Sequence, residues 1–130
     1  MKNKVVSYKT AMALKAKGFN EPTEFCYWGC ETSLHMIAPH LTNESLGEGK
    51  CSAPTMDEVR QWLADNHTIY IDTPLKKKTS INRNSLQKEE YCYTYGYLKY
   101  GDGYFEGTME FQDWNDALQW AINIIIDNEI

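Results

Sequence analysis

Residues 53–71 read APTMDEVRQWLADNHTIYI and carry the clearest structural signal in the chain. Thr55 is a good N-cap, and Glu58 three residues later completes a capping box, in which each side chain accepts from the other residue's backbone N–H. Apolar residues then recur at helical spacing: Met56, Val59, Trp62 and Leu63. The period next changes to two, which places Ile69 and Ile71 on one side of a strand and Tyr70 on the other. The stretch predicts a helix over residues 55–65 followed by a strand, and no reaction chemistry.

Two further helices are predicted, one before and one after residues 53–71. Ser7 can cap a helix over residues 7–17, and Gly18 is placed at its left-handed C′ position, where Leu14 and Phe19 would meet in a Schellman ending. The stretch DWNDALQWAINIII, residues 113–126, predicts a last helix with an unusually wide apolar stripe. A stripe of that width favours burial on more than one side or contact with a second subunit.

Short alternating segments predict the strands. Residues 25–28 and 33–37 allow a hairpin across Gly29. The run YCYTYGYLKY, residues 91–100, predicts a strand that returns over residues 104–111 after the turn signal GDG. We therefore expect an α+β fold, with a small antiparallel sheet of three to five strands packed on one face by two to three helices. One domain is expected over residues 1–130, with a mobile polar loop at about 73–90.

Composition and charge limit the classes of function. The chain has 130 residues and a formal charge of −5, and it is rich in rings, with nine Tyr, four Trp and four Phe. A net acidic domain repels phosphate, so nucleic-acid binding is unlikely on charge grounds. The opening MKNKVVSYKTAMALKAKGF lacks an apolar run, and no window is long and apolar enough for a membrane span. We expect a cytoplasmic protein with reduced cysteines and no membrane partner.

Three segments resemble small, mostly uncharacterised proteins encoded by phages, prophages and mobile elements of anaerobic gut bacteria. They are AMALKAKGFNEPT (11–23), SAPTMDEVRQWLADNHTIYI (52–71) and FQDWNDALQWAINIII (111–126). The sequence departs from the family's pattern at Thr68, where the pattern has glycine, so the tightness of the turn from helix to strand is in question. The resemblance implies a fold and a genomic setting, and it leaves the activity open.

Cysteine and histidine residues suggest one metal site as an alternative. Cys26, Cys30, His35 and His40 follow one another at short spacing, and thiolates with imidazoles are the ligands that structural zinc prefers. Against this reading, Pro39 interrupts a helix that would align the histidines. The competing interpretation, which we favour, is that the cysteines are small buried apolar residues and that the protein carries no cofactor.

The sequence offers no recognisable catalytic motif. It contains no P-loop, no G-x-S-x-G and no H-E-x-x-H, and the glycines of GDGYFEG lie between two strands rather than before a phosphate-binding helix. His67 follows the predicted helix, where an imidazolium would stabilise the helix C-terminus. We therefore expect a protein that is not an enzyme, with no catalytic residues.

The alternating tyrosines are the best candidates for an interaction surface. Tyr91, Tyr93, Tyr95 and Tyr97 would share one face of the predicted strand. Such rings can stack with the bases of single-stranded nucleic acid when cations lie nearby. Basic residues do precede them: Lys76, Lys77, Lys78, Arg83 and Lys88. Tyrosine is also simply a good strand residue, and one face of a sheet must pack on helices.

These observations favour an accessory or protein-interaction protein of a phage or mobile element, whose partner is an unknown protein or a second copy of the chain. The expected contact residues are the four tyrosines together with Trp120 and Ile124 on the surplus apolar face of the last helix. A single-stranded nucleic-acid-binding module is the first alternative, and a small structural zinc protein is the second.

Overall fold

The computed structural model describes residues 4–38, 41–81 and 87–130, and the side chains of all of these except 78–81 and 87–89. The described residues form helices and strands in mixed order, so the predicted α+β class is confirmed. The helices are α1 (Tyr8–Ala16), α2 (Asn43–Leu46), α3 (Met56–His67) and α4 (Trp114–Asn128). The strands are β1 (Phe25–Trp28), β2 (Leu34–Met36), β3 (Lys50–Ala53), β4 (Ile69–Asp72), β5 (Leu75–Ile81), β6 (Gln87–Tyr93), β7 (Gly96–Lys99) and β8 (Gly103–Glu106).

The described strands form three antiparallel sheets rather than one. Two sheets have three strands each, in the orders β2-β1-β3 and β4-β7-β8, and β5 pairs with β6 in a two-stranded sheet. The predicted hairpin across Gly29 is present, because β1 pairs with β2. The predicted returning strand is shorter than expected, since β8 ends at Glu106 and Phe111 forms only an isolated bridge with Tyr93.

The chain divides into two compact units. The first unit is Met1–His67 with Ile122–Ile130, and the second is Thr68–Ala121. The single domain expected over residues 1–130 stays a prediction. In the part of the chain that the structure describes, no helix combines the length and the apolar content needed to cross a bilayer.

Local capping signals place the helix ends of the first unit. The Ser7 hydroxyl accepts from the Thr10 N–H at 3.3 Å, and the Phe19 N–H donates to the Leu14 carbonyl at 2.9 Å across Gly18, whose φ is +94°. The first bond caps the start of α1, and the second, together with the Gly18 N–H bond to the Lys15 carbonyl at 3.2 Å, forms the Schellman ending expected for this helix. They also deliver Phe19 into the core, where its ring contacts Trp62 of α3 edge-on at 5.3 Å between centroids.

The capping box of α3 is formed as predicted. The Thr55 N–H donates to the Glu58 carboxylate at 2.9 Å, and the Glu58 N–H donates to the Thr55 hydroxyl at 3.2 Å. The helix continues to His67, beyond the predicted end, and Thr68 then takes a left-handed φ of +53°. Thr68 therefore occupies a backbone conformation that suits glycine.

The sheet β2-β1-β3 packs against the short helices of its own unit. Tyr8 of α1 and Tyr27 of β1 meet edge-on at 5.5 Å between ring centroids, and the Tyr27 hydroxyl donates to the Val6 carbonyl at 2.7 Å. Asn43 of α2 is buried and accepts from the Ser52 N–H of β3 at 2.7 Å. These contacts pack α1 against β1 and α2 against β3.

The prediction of a loop at residues 73–90 is wrong over most of that segment. Residues 75–81 and 87–93 are strands β5 and β6, whose register places Lys77 opposite Tyr91 and Lys78 opposite Glu90. The sequence lacks the alternation of apolar and polar residues that marks a half-buried strand. A hairpin formed mainly by polar residues gives no such signal, because neither of its faces has to be apolar.

Candidate functional site

The tyrosine run does not form the single continuous strand that was expected. β6 ends at Tyr93 and pairs with β5, whereas β7 begins at Gly96 and pairs with β4 and β8. The chain changes partner strands over Thr94 and Tyr95, so Tyr91 and Tyr93 belong to one sheet, Tyr97 belongs to another, and Tyr95 lies between the two strands. The expectation of one tyrosine face on one strand is therefore wrong, although a role in binding for any of these residues stays a prediction.

Burial separates the four tyrosines further. Tyr91 is 55 % exposed and Tyr93 is intermediate, whereas Tyr95 and Tyr97 are only 6 % and 5 % exposed. Tyr97 lies opposite Phe105 in the register of β7 and β8, and the two rings stack with centroids 5.1 Å apart. Tyr95 and Tyr97 thus supply core area to the second unit, which is the ordinary use of large rings in a small domain.

The opposite face of the β4-β7-β8 sheet exposes apolar side chains instead. Tyr70 of β4 lies opposite Leu98 of β7, and Leu98 lies opposite Tyr104 of β8, so the three residues form one row across three strands. Their exposed fractions are 51 %, 42 % and 55 %. We call these three residues the apolar row. Tyr100, directly after β7, adds a fourth ring that is 80 % exposed.

Acidic side chains flank the apolar row. Asp72 and Glu106 lie opposite Gly96 in the register, two residues along their strands from Tyr70 and Tyr104, and so they lie on the same face as the row. Partial burial, together with the negative charges of Asp72 and Glu106, raises the pKa of the Tyr104 hydroxyl. Lys76, which pairs with Glu106 at 2.7 Å, acts on the pKa of this hydroxyl in the opposite direction.

Gly96 makes room for the Tyr104 ring. A Cβ added at Gly96 would overlap the Tyr104 hydroxyl, so any other residue at position 96 would force this ring to move. The ring therefore lies over backbone, with one side covered and the other open to solvent. Because the ring is already held in place, little side-chain entropy would be lost when a partner binds to it.

The two contact residues predicted on the last helix lie at the border of a buried stripe. Trp120 is 38 % exposed and its ring centroid is 6.0 Å from that of Phe111, while Ile124 is intermediate. Trp114 is also intermediate, and the remaining apolar positions of α4 are buried: Ala117, Leu118, Ala121, Ile122, Ile125 and Ile126. The apolar side chains of this helix that stay at least partly exposed are thus Trp114, Trp120 and Ile124. Self-association through it stays a prediction.

The cysteine and histidine residues do not converge in the part of the chain that the structure describes. Cys26 and His35 are opposite each other in the β1–β2 register, but Cys26 is fully buried and its sulfur accepts from the Trp28 indole N–H at 3.1 Å. The His35 ring packs on the Trp28 ring at 4.3 Å between centroids. Among the described residues, no three metal-ligating side chains form a group, and His40 lies outside those residues.

Cys30 differs from the other three cysteines in being exposed. It lies in the loop between β1 and β2, with its sulfur 3.2 Å from the Ser33 hydroxyl and 3.4 Å from that of Thr32. Hydrogen bonds from Ser33, and next from Thr32, lower the pKa of the Cys30 thiol to about 7. Cys30 is therefore partly a thiolate at neutral pH, and this property was not visible in the spacing of the sequence.

Sequence reasoning missed the apolar row although one part of its signal was present. The alternation at 69–72 already placed Tyr70 on the face opposite to the buried Ile69 and Ile71. What the sequence lacked was the register that adds Leu98 and Tyr104 to Tyr70, since pairing between distant segments leaves no local mark. Comparisons of the chain with protein-family models, with curated proteins and with solved structures found no match.

Proposed function

We propose that this chain is a non-enzymatic interaction protein that binds a partner protein through the apolar row. The observation that carries the proposal is the alignment of Tyr70, Leu98 and Tyr104 in one register row, each about half exposed. Contiguous apolar surface of this kind marks protein contact sites, and tyrosine is enriched among the residues that dominate binding energy. Scattered single apolar residues on a surface would carry no such meaning.

The charges beside the row favour a basic partner segment. Asp72 and Glu106 lie next to the row on the same face, and the chain as a whole carries a formal charge of −5. Glu106 pairs with Lys76 at 2.7 Å, and because this ion pair is about half exposed, a basic partner can exchange with Lys76. Arginine and lysine side chains can pair with these carboxylates and also lie over tyrosine rings in cation–π contacts. The same carboxylates repel phosphate, so they weigh against the alternative of single-stranded nucleic acid.

The edge of the sheet supports an extended conformation for that partner segment. Within the described residues, β8 pairs with β7 on one side only, and all four of its residues are exposed. An extended segment can add to such an edge through main-chain hydrogen bonds while alternate side chains reach one face. A basic strand added beside β8 would place every second side chain next to Tyr104 and Glu106.

The biological setting that we propose is the bacterial cytoplasm, in a cell that carries a phage, prophage or mobile element. The support for it is the resemblance of residues 11–23, 52–71 and 111–126 to proteins of such elements. No cofactor is part of the proposal. The partner is a protein of the host or of the element, and its chemistry is the basic extended segment described above.

The proposal is tested with a labelled peptide of alternating arginine and valine, compared with one of alternating glutamate and valine. The basic peptide should bind in low salt and be released as salt is added, because exposed charges are screened. Tyr70→Ser and Tyr104→Ser should each weaken binding about tenfold or more, as expected for central contact residues. Met36→Ser, at an exposed residue of the other unit, is the matched control and should leave binding unchanged.

Other occupants of the row give distinct outcomes. Tighter binding of a labelled single-stranded oligonucleotide than of the basic peptide would overturn the choice of a protein partner. A dimer in sedimentation that Tyr104→Ser dissociates would show that the row binds a second copy instead. Equal affinity of the parent chain, Tyr70→Ser and Tyr104→Ser for the basic peptide would remove the row from the binding site altogether.

A further inference from the structure

A recess in the second unit is formed where residues 108–110 bulge away from Thr94. The Gly107 N–H donates to the Tyr95 carbonyl at 2.9 Å, and Phe111 and Tyr93 exchange both backbone hydrogen bonds at 2.7 and 2.8 Å. Between these anchors, residues 108–110 lie opposite the single residue Thr94. Such an excess of residues on one side forces a bulge. The bulge opens a cleft of about 420 Å³ beside β5 and β6, within the size range of small-molecule sites.

The walls of this cleft carry both signs of charge. Lys76 and Lys77 come from β5, Glu106 ends β8, and Glu110 belongs to the bulge, so the formal charges of the four residues cancel. The Lys76 ammonium lies 2.7 Å from the Glu106 carboxylate, and about half of each side chain is exposed. An exposed ion pair of this kind adds little to stability. A ligand that carries both charges can therefore replace it, with a negative group on the lysine and a positive group on the glutamate.

Thr94 supplies an independent sign that the cleft takes a polar ligand. It lines the cleft and is only 5 % exposed, yet its hydroxyl has no hydrogen-bond partner among the described residues. A buried hydroxyl without a partner is rare because it loses its hydrogen bonds to water without replacement. Because the hydroxyl oxygen is itself buried, a change to another staggered χ1 rotamer would be needed to turn it toward a group held in the cleft.

We propose that the cleft binds a small zwitterion, of which a free α-amino acid is the simplest example. Its carboxylate would pair with Lys76 and accept from the Thr94 hydroxyl, and its ammonium group would pair with Glu106. A purely anionic ligand meets the two glutamates of the cleft, and a purely cationic one meets the two lysines, so balanced charge selects a ligand that carries both signs. The proposal shares Glu106 with the flank of the apolar row, but it requires none of the three residues of that row.

The direct test is a titration of the full chain, followed by backbone amide NMR, with each standard L-amino acid as the probe. Binding should shift the amide signals of Thr94, Gly107 and Thr108. The N-acetyl derivative, which lacks the ammonium group, and the carboxamide, which lacks the carboxylate, should each bind about tenfold more weakly, since each loses one charged hydrogen bond.

Two variants separate binding in the cleft from a general effect on the fold. Thr94→Val keeps the shape of the side chain and removes only the unpaired hydroxyl, so the variant should fold at least as stably as the parent. Both Thr94→Val and Glu106→Gln should weaken amino-acid binding about tenfold. Glu48→Gln, an exposed residue of the other unit, and Tyr70→Ser, in the apolar row, should leave it unchanged.

Failure of this test differs from failure of the proposed partner surface. If no amino acid shifts the three amide signals, or if Thr94→Val and Glu106→Gln bind like the parent, the cleft is not a zwitterion site. Either result leaves the peptide experiment at the apolar row untouched. Equal affinity for the amino acid and both of its blocked derivatives would likewise overturn the assignment of charge recognition to Lys76 and Glu106.

Discussion

Gly107 lies so close to the ring of Tyr95 that a Cβ at position 107 would overlap atoms of the ring. The Gly107 N–H also donates to the Tyr95 carbonyl at 2.9 Å. Gly107 does not have the positive φ found at other glycines of the chain. The position therefore requires glycine for space and not for backbone freedom, and the packed ring fixes where the chain leaves β8.

Replacing Gly107 by alanine should consequently destabilise the protein. The added methyl group must displace a buried ring, and overpacking of this kind lowers the free energy of unfolding by about 1–3 kcal/mol. Chemical denaturation measures the change. Thr108→Ala, at the exposed neighbouring residue, is the control and should stay within about 0.5 kcal/mol of the parent. A Gly107→Ala variant as stable as the control would show that Tyr95 is free to move.

The split of the tyrosine run predicts very different effects for two similar substitutions. Tyr97→Ala removes a buried ring that stacks on Phe105, so the free energy of unfolding should fall by about 3–5 kcal/mol. Tyr91→Ala removes a ring that is more than half exposed and should cost less than about 1 kcal/mol. Equal losses in urea denaturation would mean that the two residues share one environment, as the uninterrupted strand would have required.

The helix ends were predictable because their signals are local. Leu14, Gly18 and Phe19 lie within six residues, and Thr55 with Glu58 lies within four, so each motif contains its own hydrogen-bond partners. The tyrosine run was not predictable in the same way. An alternating sequence fixes which residues share a face only while the strand keeps its partners, and this chain changes partners at Thr94.

The candidate site depended even more on distant pairing. Tyr70 and Leu98 are far apart in sequence, and only the β4–β7 register makes them neighbours. The cleft beside Thr94 depends on a bulge between Gly107 and Phe111, whose sequence contains no turn signal of its own. The strands β5 and β6 were missed for a different reason, because polar hairpins do not need the apolar alternation on which strand prediction relies.

Thr68 offers a test of backbone strain after α3. A β-branched residue at a φ of +53° is a genuine outlier, and the left-handed conformation costs roughly 1–2 kcal/mol for a residue with a Cβ. Thr68→Gly should therefore raise the free energy of unfolding by about 0.5–1 kcal/mol once the greater freedom of glycine in the unfolded chain is subtracted. The Tyr100 N–H bond to the carbonyl of residue 68, at 3.1 Å, involves only backbone and should remain.

Thermal unfolding of the Thr68→Gly variant measures this effect, and Thr68→Val is its matched control. Valine keeps the branched Cβ and the strain, and it removes only the hydroxyl, so Thr68→Val should be no more stable than the parent. A Thr68→Gly variant less stable than the parent would show that contacts of the threonine side chain outweigh the relief of strain.

Cys30 should be the fast-reacting thiol of the chain near neutral pH. Hydrogen bonds, first from Ser33 and then from Thr32, lower its pKa to about 7, and the thiolate is the reactive form. The alkylation rate with iodoacetamide should therefore rise with pH around a midpoint of about 7, because deprotonation increases as pH passes through the pKa.

Ser33→Ala removes the largest cause of the lowered pKa and should move the midpoint upward. Cys30→Ser should abolish the fast reaction, since Cys26, Cys51 and Cys92 are buried. A midpoint that Ser33→Ala leaves in place would exclude the serine hydroxyl as the group that stabilises the thiolate.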